Sequence, residues 1–183
     1  IIVAYVTIRR PSAATNALDI FTMFPYIVPG SILGISLLVT FNSRPILLSG
    51  TAVIMIMAFS IRRLPHTIRS SSAILYQISV STEEAAESLG ASRLKTFLRI
   101  TLPAMLPGVL SGAILSWVSI LTELSTSILL YTTRTRTMTI AVYTEVLRGN
   151  YGTAAALSTI LSLITVVSLL IFFKVSGKKE FSM

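Results

Sequence analysis

The chain has 183 residues, 53% of them hydrophobic and 12% charged, with a mean hydropathy of +0.81. A soluble domain carries about 25% charged residues, so the deficit argues for lipid as the solvent. The net charge of +8 does not indicate a nucleic-acid partner, because the basic residues flank apolar runs as the positive-inside rule expects. With no cysteine and one histidine, neither a thiolate site nor a multi-histidine metal site fits within the chain.

Ile1–Ile8 reads as the tail of a membrane span, closed by Arg9-Arg10-Pro11. The sequence opens in apolar residues with neither an initiator Met nor a basic leader, so it is expected to be a fragment and not a signal peptide. A polar loop, Ser12–Asp19, precedes span A at 20–41, which is uncharged and contains Pro25, Pro29, Gly30 and Gly34. Span B starts near Leu47 and runs over 47–69, past Arg62, Arg63 and Pro65, with the helix continuing through Ile78. A hydrophilic segment occupies Ser81–Arg99, span C covers 102–122, and span D covers 151–173. The uncharged runs suit a hydrocarbon core that about 20 helical residues cross. The result is an all-α fold, a polytopic membrane helix bundle in a single transmembrane domain.

With the 81–99 segment inside, the inner face collects Arg9, Arg10, Arg69, Arg93, Lys95, Arg99, Lys174, Lys178 and Lys179. The outer face keeps Arg44, Arg134, Arg136 and Arg148, an asymmetry that sets the orientation and puts the C-terminus in the cytoplasm. Gly30-x-x-x-Gly34 in span A and Gly108-x-x-x-Gly112 in span C offer shallow faces for close helix packing. Between spans C and D, Tyr131–Asn150 forms a long outer connection, with 140–148 a candidate surface helix.

The segment Ser81–Pro103 reads as two short helices joined by a bend. Ser81 and Glu84 have capping-box spacing. Glu83, Glu84 and Glu87 favour the positive end of the first helix dipole. Gly90 is placed as its left-handed terminator, and Ser92 can cap the second helix. Leu94, Phe97 and Leu98 among Arg93, Lys95 and Arg99 suit a helix at the inner interface. Pro103 falls in the first turn of span C, where a missing N–H is cheap.

The pattern Glu84-Ala85-Ala86-x-x-x-Gly90, then Ile100-x-Leu102-Pro103, resembles the EAA loop of binding-protein-dependent ABC importer permeases, whose core is the MetI-like bundle. Tyr26-Ile-Val-Pro29-Gly30, Arg63-Leu-Pro65, Glu123-Leu124-Ser125 and Gly149-Asn-Tyr151-Gly152 are similar to the ferric-iron type, related to putrescine/spermidine, thiamine and phosphonate importers. The resemblance implies a non-enzymatic permease, the C-terminal half of a two-half protein or one of two copies, in the bacterial inner membrane. It implies separate ATPase subunits that bind ATP and Mg, an external substrate-binding protein, and no cofactor in this chain. Carried over, 81–103 is the cytoplasmic coupling loop, with Glu84, Ala85, Ala86 and Gly90 as coupling residues, Leu89 and Arg93 beside them, and Ile100, Leu102 and Pro103 completing the motif. The chain lacks a Gly-x-x-x-x-Gly-Lys-Ser/Thr phosphate loop, so ATP chemistry is placed elsewhere. A secondary transporter is the alternative, but it gives no account of the 84–103 spacing.

Glu123 interrupts an uncharged run. It reads either as an interfacial carboxylate bonded to nearby backbone or as a pathway residue attractive to cations. Arg62 and Arg63 either pair with an acid in the missing half, line the aqueous translocation path, or snorkel inward.

Overall fold

The computed structural model describes residues 1–180, with side chains to Lys174. The side chains of Lys178 and Lys179, and the last three residues of the expected tail, lie outside the described residues, whereas the tail's backbone to residue 180 continues the helix of span D. Every regular element among the described residues is helical: α1 (Ile2–Arg9), α2 (Ala13–Ile27), α3 (Gly30–Thr40), α4 (Ala52–Gln77), α5 (Val80–Ser88), α6 (Arg93–Thr96), a π turn (Phe97–Thr101), α7 (Leu102–Leu121), α8 (Ser127–Leu130), α9 (Met138–Leu147) and α10 (Tyr151–Glu180).

Among the described residues two stretches are long and apolar enough to cross a membrane: Arg93–Leu121, 29 residues, and Tyr151–Lys174, 24 residues. Helices α2 and α3 together would make a third, bent by 102°. Span A is therefore broken where a single helix was expected. Pro29, at φ −54° and ψ 137°, lacks an N–H for the ladder, and its ring disfavours helical geometry at Val28. The expected polar loop 12–19 is mostly the first turns of α2. Ser12 and Thr15 cap each other's backbone, Ser12 N–H donating to Thr15 Oγ1 (2.8 Å) and Thr15 N–H to Ser12 Oγ (3.1 Å), a threonine variant of the capping box.

Helix α4 begins at Ala52, not Leu47. Residues 46–51 instead form a turn in which Leu48 and Ser49 N–H both donate to Phe41 O, with Gly50 at φ +77°. The expected continuation past Arg69 to the neighbourhood of Ile78 is observed.

The chain divides into two compact units, Ile1–Phe24 with Leu64–Ser116, and Pro25–Arg63 with Trp117–Met183. In the first, Ala4, Leu75 and Met105 form a buried core. There α7 lies hard against α4: a Cβ at Gly108 would stand 2.8 Å from Ser70 O, and one at Gly112 would stand 2.8 Å from Thr67 Cα. These glycines allow backbone-level approach where lipid supplies no hydrophobic drive. In the second unit, Leu37, Ile54, Met55, Ala58 and Leu130 form the core, and α9 packs along α10. Helix α9 occupies the position of the expected surface helix, but its Ile140 is fully buried. On α10, Leu163, Val166, Leu170 and Phe173 are exposed, the apolar periphery of a helix made for lipid or another membrane helix.

Candidate functional site

Residues 79–103 make a projecting element whose geometry follows from local chemistry. The N-cap of α5 is Ser79, whose side chain accepts from Ser81 N–H. The helix thus starts two residues before the expected Ser81–Glu84 box, and that box does not form. The C-terminus closes as a Schellman turn: Ala91 N–H donates to Ala86 O (3.0 Å) and Gly90 N–H to Glu87 O (2.9 Å). Gly90 sits at φ +87°, the left-handed conformation only glycine adopts at little cost. Ser92 then caps α6 by accepting from Lys95 N–H (3.4 Å), as expected.

Downstream of Ser92 the chain departs from expectation. Helix α6, the π turn and α7 run as one helix, so Pro103 lies inside it rather than in a first turn. Proline offers no N–H, and its ring crowds the carbonyl four residues back. The ladder widens just before it, Leu102 N–H reaching Phe97 O, five residues back, the bond that defines a π turn. Ile100 lies in this turn, and Leu102 and Pro103 follow it.

The residues of the recognised pattern divide by exposure. Glu84, Ala85, Gly90 and Arg93 are exposed, and Leu89 at the tip is 90% exposed. Ala86 is half-buried. An exposed ion pair, Arg93 to Glu87 at 3.6 Å, spans the bend, but in water such a pair contributes little. Glu83, adjacent to the pattern, is 7% exposed. Its Oε1 accepts from Arg9 Nε (3.1 Å) and Thr101 Oγ1 (3.2 Å), and its Oε2 from Tyr5 OH (3.2 Å). Sequence reasoning had given Glu83 only a helix-dipole role, because its partner Arg9 lies 74 positions away and no periodicity links them.

In the other unit, Glu123 (6% exposed) accepts from Arg62 Nη1 at Oε1 (3.0 Å) and from Arg63 Nη2 at Oε2 (2.8 Å). Oε1 also takes the N–H of Thr126 (2.9 Å) and the hydroxyl of Ser125 (3.1 Å). Arg62 Nη1 donates to Thr126 Oγ1 and Arg63 Nη2 to Ser119 O, both at 2.9 Å. The acid that pairs both arginines is therefore in this chain and not, as expected, in a missing half, and Glu123 also accepts from the backbone of Thr126. Gly30 makes room for the cluster, since a Cβ there would overlap Arg62 Nη1 and stand 2.7 Å from Thr126 Oγ1. Among the described residues no group of three or more His, Cys, Asp or Glu is placed to hold a metal ion.

An all-helical chain with apolar spans, one of them preceded by a projecting turn, has the fold of an ABC transporter membrane domain. Two crystal structures of a bacterial ABC transporter for alginate contain chains that superpose with TM-scores of 0.76 and 0.79, at 17% and 20% identity, over 97% of this chain and 70% of each of theirs. The chain belongs to the family of binding-protein-dependent transport system inner membrane components, whose family model matches residues 1–178. It is 34% identical over 173 residues to a ferric transport system permease of Actinobacillus pleuropneumoniae, covering 94% of this chain and 25% of that one. It is 33% identical over 153 residues to a molybdate/tungstate permease of Thermococcus kodakarensis, covering 83% and 59%. To a putative 2-aminoethylphosphonate permease of Salmonella paratyphi A it is 31% identical over 143 residues, covering 78% and 54%. The chain thus spans about a quarter of the length of the ferric relative and little more than half of the others.

Proposed function

We propose that the chain is part of the membrane-spanning permease of an ATP-driven importer and that residues 79–103 couple it to a separate ATPase. The observation that carries this reading is the shape of the projecting element: a short capped helix, an apolar tip at Leu89 and a left-handed turn at Gly90. Exposed Glu84, Ala85 and Arg93, with half-buried Ala86, would enter a cleft on the ATPase. Ile100, Leu102 and Pro103 belong to the helix that continues from it into the bilayer. ATP-driven closure of the ATPase pair would displace the element and tilt the helices between inward and outward openings, a rigid-body transition of a known kind. The element and the C-terminus would lie in the cytoplasm, an external binding protein would deliver substrate, and a second permease half, fused or separate, would complete the pathway.

Arg62, Arg63 and Glu123 are read as a fixed brace in the pathway wall rather than a mobile gate. Ferric iron is the proposed cargo, supported by identity to the ferric permease, with molybdate and 2-aminoethylphosphonate as the competing cargoes. The test is a cysteine at Leu89 in the full-length permease, crosslinked in membranes. Capture of an ATPase subunit, lost on Gly90→Ala, is the expected result. No capture in the otherwise unaltered protein rejects the coupling reading. Uptake of radiolabelled ferric iron into proteoliposomes, competed by molybdate or 2-aminoethylphosphonate, decides the cargo.

A further inference from the structure

We propose that Glu83 is the positioning residue through which movement of the projecting element leaves it, fastening α5 to α1 and to the base of α7. The inference rests on the coupling reading above and adds the joint that reading needs. Glu83 is the one residue of α5 that is buried, and both of its carboxylate oxygens are engaged. Arg9 and Tyr5 reach it from α1, and Thr101 from the π turn. The second arm of Arg9, Nη2, donates to Ile78 O (2.8 Å), just past the end of α4. The ring of Tyr5 also meets Phe97 of the π turn edge to face, centroids 4.8 Å apart.

Helix α5, α1 and the π turn therefore meet at one carboxylate, and Arg9 ties in the end of α4. A buried charge held by a cation and two hydroxyl donors cannot slip without leaving a charge unpaired. The exposed Arg93–Glu87 pair can exchange its partners for water and transmits little. A push on the tip is then delivered at Glu83, to α1 through Arg9 and Tyr5 and to α7 through Thr101. Glu84, whose side chain is exposed, remains on the face offered to the partner.

The experiment is hydrogen exchange on the full-length permease assembled with its ATPase subunits in lipid nanodiscs, with and without a non-hydrolysable ATP analogue. In the unaltered complex, exchange is expected to change by about tenfold in α5, in residues 2–9 and in residues 97–101, the size of an ordinary coupling between sites. With Glu83→Gln the change should persist in α5 and vanish from 2–9 and 97–101. Thr101→Val, which removes one hydroxyl and little else, should diminish the response at 97–101 alone. If 2–9 and 97–101 still respond in both variants, the joint is refuted while the coupling reading stands. If α5 fails to respond even in the unaltered complex, the coupling reading falls and the joint with it.

Discussion

At Glu123, a single carboxylate serves two guanidinium groups, and its worth is set by what its loss would leave behind. Removing one partner of a buried ion pair costs about 3–5 kcal/mol, because the remaining charge stays buried. Glu123→Ala is therefore expected to lower the thermal stability of the assembled permease sharply, measured by fluorescence-detected size exclusion after heating. Replacing all three residues, Arg62→Met, Arg63→Met and Glu123→Leu, should recover much of that loss, since an apolar cluster of similar volume has no ions to desolvate. The sequence showed that Glu123 was out of place in an apolar run, but not what it met, because its partners lie 60 and 61 positions away. Glu83 was less legible still. Three acids share its helix, and only the fold shows which one turns inward.

Among the elements, the π turn is the feature with the clearest mechanical signature. It carries one residue more than an α ladder would, and one residue is about 100° of helical rotation. Pro103→Ala restores the missing N–H and removes the ring that crowds the turn. An ordinary α ladder then becomes available, and Arg93–Thr96 would rotate by about that angle relative to α7. Spin labels scanned through 93–98 should report this as a shifted periodicity of solvent accessibility, and an unshifted pattern would exclude Pro103 as the cause of the turn. The α9–α10 turn supplies a pH test. The Glu145 carboxyl is held below its ordinary value of 4.5 by the amide of Asn150, with Arg148 and Arg136 beside it. A carboxylate with a depressed folded pKa contributes stability above its unfolded value and loses it as pH falls through the folded one. Amide exchange at 146–151 should therefore be insensitive to this carboxyl from neutrality to about pH 4.5 and rise below it, and Glu145→Gln should abolish the rise. The cap at Ser92 and the helix-ending glycine at Gly90 were readable from short-range chemistry, whereas the cap of α5 was expected at Ser81 and lies at Ser79. The break at Val28–Pro29 and the late start of α4 were not, because apolar continuity alone cannot separate one helix from two.

For the whole molecule, the apolar runs disclosed the helical membrane class, and the spacing from Glu84 to Pro103 disclosed the family. What the runs could not disclose was what Arg62 and Arg63 of α4 meet, because Glu123, Thr126 and Ser119 lie far along the chain. The basic-residue asymmetry makes orientation checkable. Cysteines at Ser88 and Thr135 should react with a membrane-impermeant thiol reagent from opposite faces, Ser88 only in inside-out vesicles and Thr135 only in right-side-out cells. The same labelling pattern at both positions would contradict the orientation.

The uninterrupted helix Arg93–Leu121 has 29 residues, about 43 Å at 1.5 Å per residue, against a hydrocarbon thickness of about 30 Å. Its surplus includes Lys95 and Arg99, which would meet the headgroups, so a thicker leaflet would draw that pair outward or tilt the helix. Transport should then depend on acyl-chain length, with an optimum in phosphatidylcholine vesicles of intermediate chains and a decline on either side.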